Sequence, residues 1–316
     1  MRITVLICTY NRAESLRRTL ETLARLEVPA GDEWELLLVD NDSSDGTAEV
    51  CREFTGKLPV RYLVEKKHGK GWALNLGVRS SRGELLLFTD DDVDVDALWL
   101  KSYAEAAKRL PEALFFAGRV VALLEGRPPK WFAENARTIL SSVAVNYDLG
   151  ESEHAVDVAI GANMAIRAAA FEGGILFRPD LGPDGTETVR SEEVQFLRDL
   201  AEATGKRTAG IYLPGALVHH RTNANRMTER NVRRWYYGDG IARVRRNQVE
   251  DGPALFGVPR YLWRQLAECA ARYALLRPFA ASEAWLKQEI DMSCTMGIIS
   301  ELRKRRAKNR EPEKCT

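Results

Sequence analysis

One short stretch, ELLLFTDDDVDVD at Glu84–Asp96, constrains the fold of this chain more than any other. Leu85, Leu86, Leu87 and Phe88 form a continuous apolar run that stops abruptly at Thr89, Asp90, Asp91 and Asp92. A run of that length bounded by charge suits a strand buried on both faces of a parallel sheet. Open α/β sheets bind their ligands beyond the carboxyl ends of the strands. Three adjacent carboxylates there repel one another, so a positive partner belongs among them. A hard divalent cation on oxygen ligands, itself holding a diphosphate, meets that need. The competing reading is a solvated acidic turn with Asp94 or Asp96 capping a helix. A calcium loop starting at Asp92 is excluded: Ala97 stands where its glycine belongs and Tyr103 where its bidentate Glu belongs.

The segments before this stretch alternate strand and helix, the mark of a parallel nucleotide-binding sheet. Ile3–Cys8 reads as a strand, and Leu16, Leu20, Leu23 and Leu26 mark a helix. Glu35–Val39 reads as the next strand, closed by the turn cluster Asp40–Gly46. A helix through Cys51, a strand at Val60–Val64 and a helix at Gly69–Arg79 complete the series. Polar clusters at Thr9–Arg12, Asp40–Asp45 and Asp90–Asp92 therefore fall at three strand ends on one rim. No GxGxxG follows the first strand and no GxxxxGK[ST] occurs, so neither a dinucleotide fingerprint nor a P-loop is present.

At 316 residues and 45% hydrophobic content the chain can bury a large core. Its 46 basic and 45 acidic residues nearly cancel, which gives no reason to expect nucleic-acid binding. Five scattered cysteines without CxxC spacing suit a reducing compartment rather than a disulfide framework or structural zinc. The N-terminus enters a strand pattern directly, without signal-peptide layout, and no apolar run has transmembrane length. The expected location is cytoplasmic, peripheral on the inner face of a membrane.

Taken together, ICTYNR, VDNDSSDGT and HGKGWALNLGVRSSRGELLLFTDDD resemble the inverting family-2 glycosyltransferases of GT-A fold, over roughly residues 1–240. The fold class so implied is α/β, a mostly parallel nucleotide-diphosphosugar transferase-like sheet flanked by helices. A UDP-sugar donor and Mn²⁺ or Mg²⁺ are implied with it. By position, Thr9, Tyr10 and Arg12 would line the base and ribose pocket. Asp40 would accept from the base ring, with Asp42 close by. Lys70 and Asn75 would border the nucleotide. Asp90 and Asp92 match the outer residues of the DxD motif, Asp90 near the ribose with Asp91 beside it, and Asp92 on the metal. The plain alternatives are a helix cap for Asp40 and a helix-surface amide for Asn75.

Beyond Asp96 a helix at Leu98–Leu110 and a strand at Leu114–Leu124 are expected, followed by a surface loop over Arg127–Phe132. Trp131 in that loop reads either as a sugar-stacking or as a packing tryptophan. A strand at Val156–Ile160 and the turn Gly161–Arg167, with Asn163, resemble the acceptor side of the family. A Gly/Pro loop over Phe177–Gly185 leads to Ser191, Glu192 and Glu193 at the start of a helix running to Glu202. Ser191 as N-cap with two acids in the first turn is a sufficient structural reading. The resemblance implies more: Glu193 stands where relatives usually carry an Asp that serves as general base, with Glu192 either supporting it or contacting the acceptor. The extra methylene shifts the carboxylate by about a bond length, a test of geometry more than of basicity.

Strand Gly210–Leu213 and the run Ala216–His220 follow. His220 matches the place of a histidine near the diphosphate or metal in relatives, and an imidazole can complete a manganese or magnesium site. Arg221–Arg226 is expected as a mobile loop closing over donor phosphate. Asn231–Trp235 resembles the QxxRW motif, with Asn for Gln; Arg234 and Trp235 would then face acceptor or phosphate. Arg233 and Arg245 fit a basic helix face. Helical spacing marks Pro259–Leu276 and Phe279–Leu302, and Leu302–Arg310 is strongly basic. These helices would pack as a hairpin on the catalytic domain or lie in a membrane interface. The expected division is a catalytic domain at 1–240, with nucleotide-sugar half 1–96 and acceptor half 97–240, and a helical extension at 241–316. The function so read is metal-dependent transfer of a sugar to a carbohydrate or lipid-linked acceptor hydroxyl. A sugar nucleotidyltransferase would need a Gly-rich basic loop after the first strand, which Thr9–Arg12 does not supply. A carbohydrate-binding module would have lost one carboxylate cluster, and both remain.

Overall fold

The computed structural model describes residues 1–184, 189–205 and 210–308. Gly185, Cys315 and the end of the basic tail from Asn309 onward lie outside the described residues. The chain divides into two compact units, one built from residues 1–125, 144–184 and 192–222, the other from 126–143, 185–191 and 223–316.

The first unit opens with strand β1 (Arg2–Thr9), helix α1 (Ala13–Leu23), β2 (Glu33–Asp40), α2 (Thr47–Phe54), β3 (Val60–Val64), α3 (Lys70–Ser80) and β4 (Leu85–Asp90). It continues through β5 (Val93–Val95), α4 (Trp99–Arg109) and β6 (Phe115–Glu125). After the second unit's short helices α5 (Lys130–Glu134) and α6 (Ala136–Ile139) come β7 (His154–Val156), β8 (Asn163–Arg167), α7 (Glu192–Thr204) and β9 (Gly210–Asn223). The sheet order is β3-β2-β1-β4-β8-β6-β9-β5, with β7 on β9. β3, β2, β1 and β4 run parallel, and β8 turns the sheet antiparallel against β4 and β6. The α/β class stands, with the parallel block confined to the N-terminal half of the sheet.

Both faces of the parallel block are apolar, as the sequence required. Leu6, Leu86 and Phe88 alternate onto the face covered by Leu74 and Val78 of α3 and by Phe196, Leu197 and Leu200 of α7. Phe177 and Phe196 stack there with centroids 4.8 Å apart. A Cβ on Gly77 would press into Leu6, so α3 rides on β1 with no spacer. Gly69, just before α3, has a φ of +128° that a side chain would strain, and its N–H donates to Asn41 Oδ1 at 2.7 Å.

Several expectations shift. Val156–Ile160 is not one strand: β7 ends at Val156, and Ile160 bridges to Asn163 across a turn. Gly210–Leu213 and Ala216–His220 are a single strand that runs on to Asn223. Arg221 is therefore no part of a mobile loop: it is buried in β9, because its guanidinium finds carbonyl and carboxylate acceptors inside the fold. The Arg127–Phe132 loop becomes helical from Lys130, directly after Pro129.

The second unit carries α8 (Glu229–Arg245), the hairpin β10 (Ala254–Leu255) and β11 (Val258–Pro259), α9 (Arg260–Leu276) and α10 (Ser282–Lys308). A division at residue 240 would cut α8, which groups with the C-terminal helices. Neither Gly240 of α8 nor Gly297 of α10 has room for a Cβ against the other helix's backbone, so the two cross at close range. Arg233 pairs with Glu289, and Arg245 Nε lies 2.8 Å from Glu301. Trp131 packs on Phe132 and Trp285, with centroids at 5.6 and 6.2 Å.

Candidate active site

The order β3-β2-β1-β4 reverses direction between β1 and β4, and such a switch point opens a crevice at the carboxyl ends of the strands. The loops after β1 and β4 meet there. Thr9 donates to Asp91 Oδ2 at 2.8 Å, and Arg12 donates to Asp91 Oδ1 at 2.9 Å and to Asp92 Oδ2 at 2.8 Å. On the other side of the acidic triplet, Lys70 at the start of α3 donates to Asp90 Oδ1 at 2.7 Å and lies 3.8 Å from Glu192 Oε1. The positive partners that three adjacent carboxylates require are thus present as two side chains.

Those charges set the protonation states. Burial works against the Lys70 charge, but Asp90, Glu192 and Glu193 together hold its ammonium above the ordinary lysine range. Burial likewise opposes the Asp90 charge, and Lys70 still keeps that carboxyl below the usual carboxylate range. Burial pushes Asp91 up to about 6, against the pull of Arg12. Asp91 in turn holds the Arg12 guanidinium above its ordinary range. Cys8, one residue before Thr9, has its thiol pushed up by burial, which removes it as a nucleophile.

His220 reaches the triplet through pairing of strands. β9 runs antiparallel to β5 with His220 opposite Val93, which sets His220 Nε2 3.3 Å from Asp92 Oδ1. His219, on the alternate face, does not share that position. One donor atom each from Asp90, Asp92 and His220 lies within 4.8 Å of the others. Two carboxylates and an imidazole so placed fit a divalent cation such as manganese or magnesium. Gly161 lies beside both Lys70 and Glu193: a Cβ there would sit 3.6 Å from Lys70 Nζ and 3.8 Å from Glu193 Oε1.

The remaining expected residues fall in three groups. Asp40, Asp42 and Tyr10 lie on the same rim after β1 and β2. Asp40 is buried, accepting from Ser43 N at 2.9 Å and Tyr62 OH at 2.5 Å. Asp42 and Tyr10 are exposed, and Tyr10 meets His68 edge-on at 5.6 Å. Two others are internal. Asn75 is no helix-surface residue: it is buried and exchanges two hydrogen bonds with the Phe177 backbone, at 2.8 and 2.9 Å. Asn163 is 0% exposed, accepting from Trp99 Nε1 and Tyr103 OH and donating to the carbonyls of Arg119 and Ala216, so its amide has nothing left for an acceptor. Trp131, Arg226, Arg234 and Trp235 belong to the second unit, where Arg190 lies over the Trp235 ring at 4.7 Å.

Two supports had no local signal in the sequence. Arg221 donates to the carbonyls of Val93 at 2.9 Å and Ser15 at 2.8 Å and pairs with Asp94, while its own N–H donates to Asp92 O at 2.9 Å. The backbone of the acidic loop is thereby tied to α1. Asn11 and Asp42 both take left-handed φ, 51° and 65°, and Asn11 bonds Ser43 and Ser44 at 2.8 Å each. The loops after β1 and β2 so brace one another.

The profile of Glycosyl transferase family 2 matches residues 4–173. Among curated proteins, the chain is 25% identical over 228 residues to the glucosyl-dolichyl phosphate glucuronosyltransferase of Haloferax volcanii, covering 70% of this chain and 69% of that one. It is 35% identical over 101 residues to glycosyltransferase AglE of the same organism, covering 31% of this chain and 33% of that protein's length. Among solved structures, the mannosyltransferase PcManGT of Pyrobaculum calidifontis, in complex with GDP-Man and Mn²⁺, superposes with TM-score 0.60 at 19% identity, over 95% of this chain and 86% of its own. S. aureus TarS 1-349 in complex with UDP-GlcNAc gives 0.52 at 15% identity, over 98% and 92%. The two superpositions speak to the fold.

Proposed function

The chain belongs to glycosyl transferase family 2 and is a glycosyltransferase, and from that premise we propose an inverting, metal-assisted transfer from a nucleotide-diphosphosugar to an acceptor hydroxyl. The observation that carries this reading is the convergence of Asp90, Asp92 and His220 within 4.8 Å, from three separate segments, at the switch point of the sheet.

In this reading Glu193 accepts the proton of the acceptor hydroxyl, whose oxygen bonds to the anomeric carbon. The bond from that carbon to the diphosphate oxygen breaks, and the nucleoside diphosphate leaves with the electron pair. Asp90, Asp92 and His220 would hold a divalent cation, which when bound would supply positive charge near the departing diphosphate. Lys70 and Arg12 add fixed charge on either side of the triplet, where it stabilises developing negative charge without reorganisation. Glu192, buried beside Lys70, orients that ammonium. The absence of a side chain at Gly161, beside Lys70 and Glu193, supports Glu193 as the base, because it leaves room there for a reacting hydroxyl. Thr9, Tyr10, Arg12 and Asp42 are our candidates for the nucleoside side.

UDP is our assignment for the base, and GDP, the nucleotide with the mannosyltransferase neighbour, is the competing outcome. The acceptor class we propose is a carbohydrate or lipid-linked sugar, in keeping with the dolichyl phosphate sugar named for one relative. Calorimetric titration with UDP and GDP, with and without Mn²⁺, tests the reading. Metal-enhanced binding of one nucleotide is expected; binding of neither, or no effect of metal, overturns the donor site.

A further inference from the structure

We propose that the face formed by the β10–β11 hairpin, α9 and the end of α10 is a docking surface for an anionic lipid bilayer. Trp263, Leu266, Met296, Ile299, Arg303 and Lys304 line a groove of about 530 Å³ between α9 and α10, apolar along its floor and cationic at one end. The hairpin is attached to the same place. Trp263 Nε1 donates to Leu255 O at 3.1 Å, and the Arg306 side chain lies against Gly257. The tip therefore sits beside the groove and is held there. Its outermost side chain, Phe256, is 76% exposed, with Leu255 also exposed.

An exposed phenyl on a fixed turn, a tryptophan and a row of cations are the complement of a headgroup layer over hydrocarbon. Arg303, Arg305 and Arg306 stand exposed on the last turns of α10, and lysine and arginine stems lie along apolar surface while their heads reach phosphate. The acid of that segment, Glu301, is turned inward onto Arg245, so it does not offset the positive face. No helix among the described residues is long and apolar enough to cross a membrane, so contact would be lateral. This surface is read independently of the transfer chemistry, and its test uses neither donor nor acceptor.

The test is co-sedimentation of the full chain with sucrose-loaded vesicles of phosphatidylcholine alone or mixed equally with phosphatidylglycerol. Partition onto the anionic vesicles is expected to exceed that onto the neutral ones at least ~10-fold and to weaken as salt is raised. Arg303→Gln should lose about fivefold of that partition, and Phe256→Ser about tenfold, with melting temperature unchanged because both side chains are exposed. Equal partition on both vesicle types, or variants that bind like the parent, overturns the proposal. So does a sedimentation-velocity dimer that Phe256→Ser dissociates without any vesicle binding, which would assign the face to a second copy of the chain. Transfer to a water-soluble acceptor is expected to survive Phe256→Ser; its loss in the parent chain would bear on the catalytic reading alone.

Discussion

Lys70 Nζ sits 2.7 Å from Asp90 Oδ1, so an ammonium already occupies one oxygen of a carboxylate that would also hold metal. A bound metal would then compete with Lys70 for Asp90 in the absence of a diphosphate. Lys70→Met should tighten Mn²⁺ binding to the nucleotide-free protein several-fold, read by manganese electron paramagnetic resonance. The same variant should lower kcat about 10²-fold or more, as for loss of a charge that meets the leaving group. Weaker manganese binding in Lys70→Met would show that Lys70 supports the metal rather than opposing it.

Glu193→Gln keeps the shape of the side chain and removes its basicity. Turnover should fall about 10²- to 10⁴-fold, while nucleotide affinity stays within about threefold. Near-parental turnover would end the assignment of Glu193 as base. Gly161→Ala is the companion test: its methyl sits at ordinary contact distance from Lys70 and Glu193, so acceptor KM should rise while Tm holds.

Asp92 touches Arg12 at 2.8 Å and His220 at 3.3 Å, and its backbone carbonyl accepts from Arg221. Asp92→Asn should weaken metal and nucleotide together in a calorimetric titration, whereas His220→Gln should weaken metal more than metal-free nucleotide. Independent responses to Asp92→Asn, with metal binding lost and nucleotide affinity kept, would detach the nucleotide from the metal site.

Asn163 makes four internal hydrogen bonds from a fully buried position. Asn163→Leu would strand an indole N–H, a phenol and two carbonyls, costing about 3 kcal/mol or more and lowering Tm. Loss of activity without loss of stability would instead return Asn163 to the acceptor site.

The acidic stretch and its apolar run were legible because a strand buried on both faces cannot hide its composition. The strand bounds β1 to β4 follow the sequence reading within about two residues at each end, the usual slack of such boundaries. The acidic triplet Asp90–Asp92 stands out by residue type at a strand end, whereas Lys70, Glu193 and His220 come into view only through the resemblance to the family. Asn75 on its helix and Asn163 after its turn give no local sign of burial, because the groups that satisfy each amide lie far along the chain, 102 residues away for Asn75. Arg221 gives no such sign either, since an arginine next to a strand end looks exposed until its acceptors are known.

What the sequence determined by itself was the strand series and the rim that carries the polar clusters, because hydrophobic patterning fixes strands and strands fix which ends are exposed. What only the tertiary structure decided was who answers whom. β1 against β4 turned Arg12 onto Asp91 and Asp92, and β9 against β5 brought His220 to Asp92 from 128 positions away. Pairing of distant strands is set by the packing of the whole core, and no local pattern encodes it.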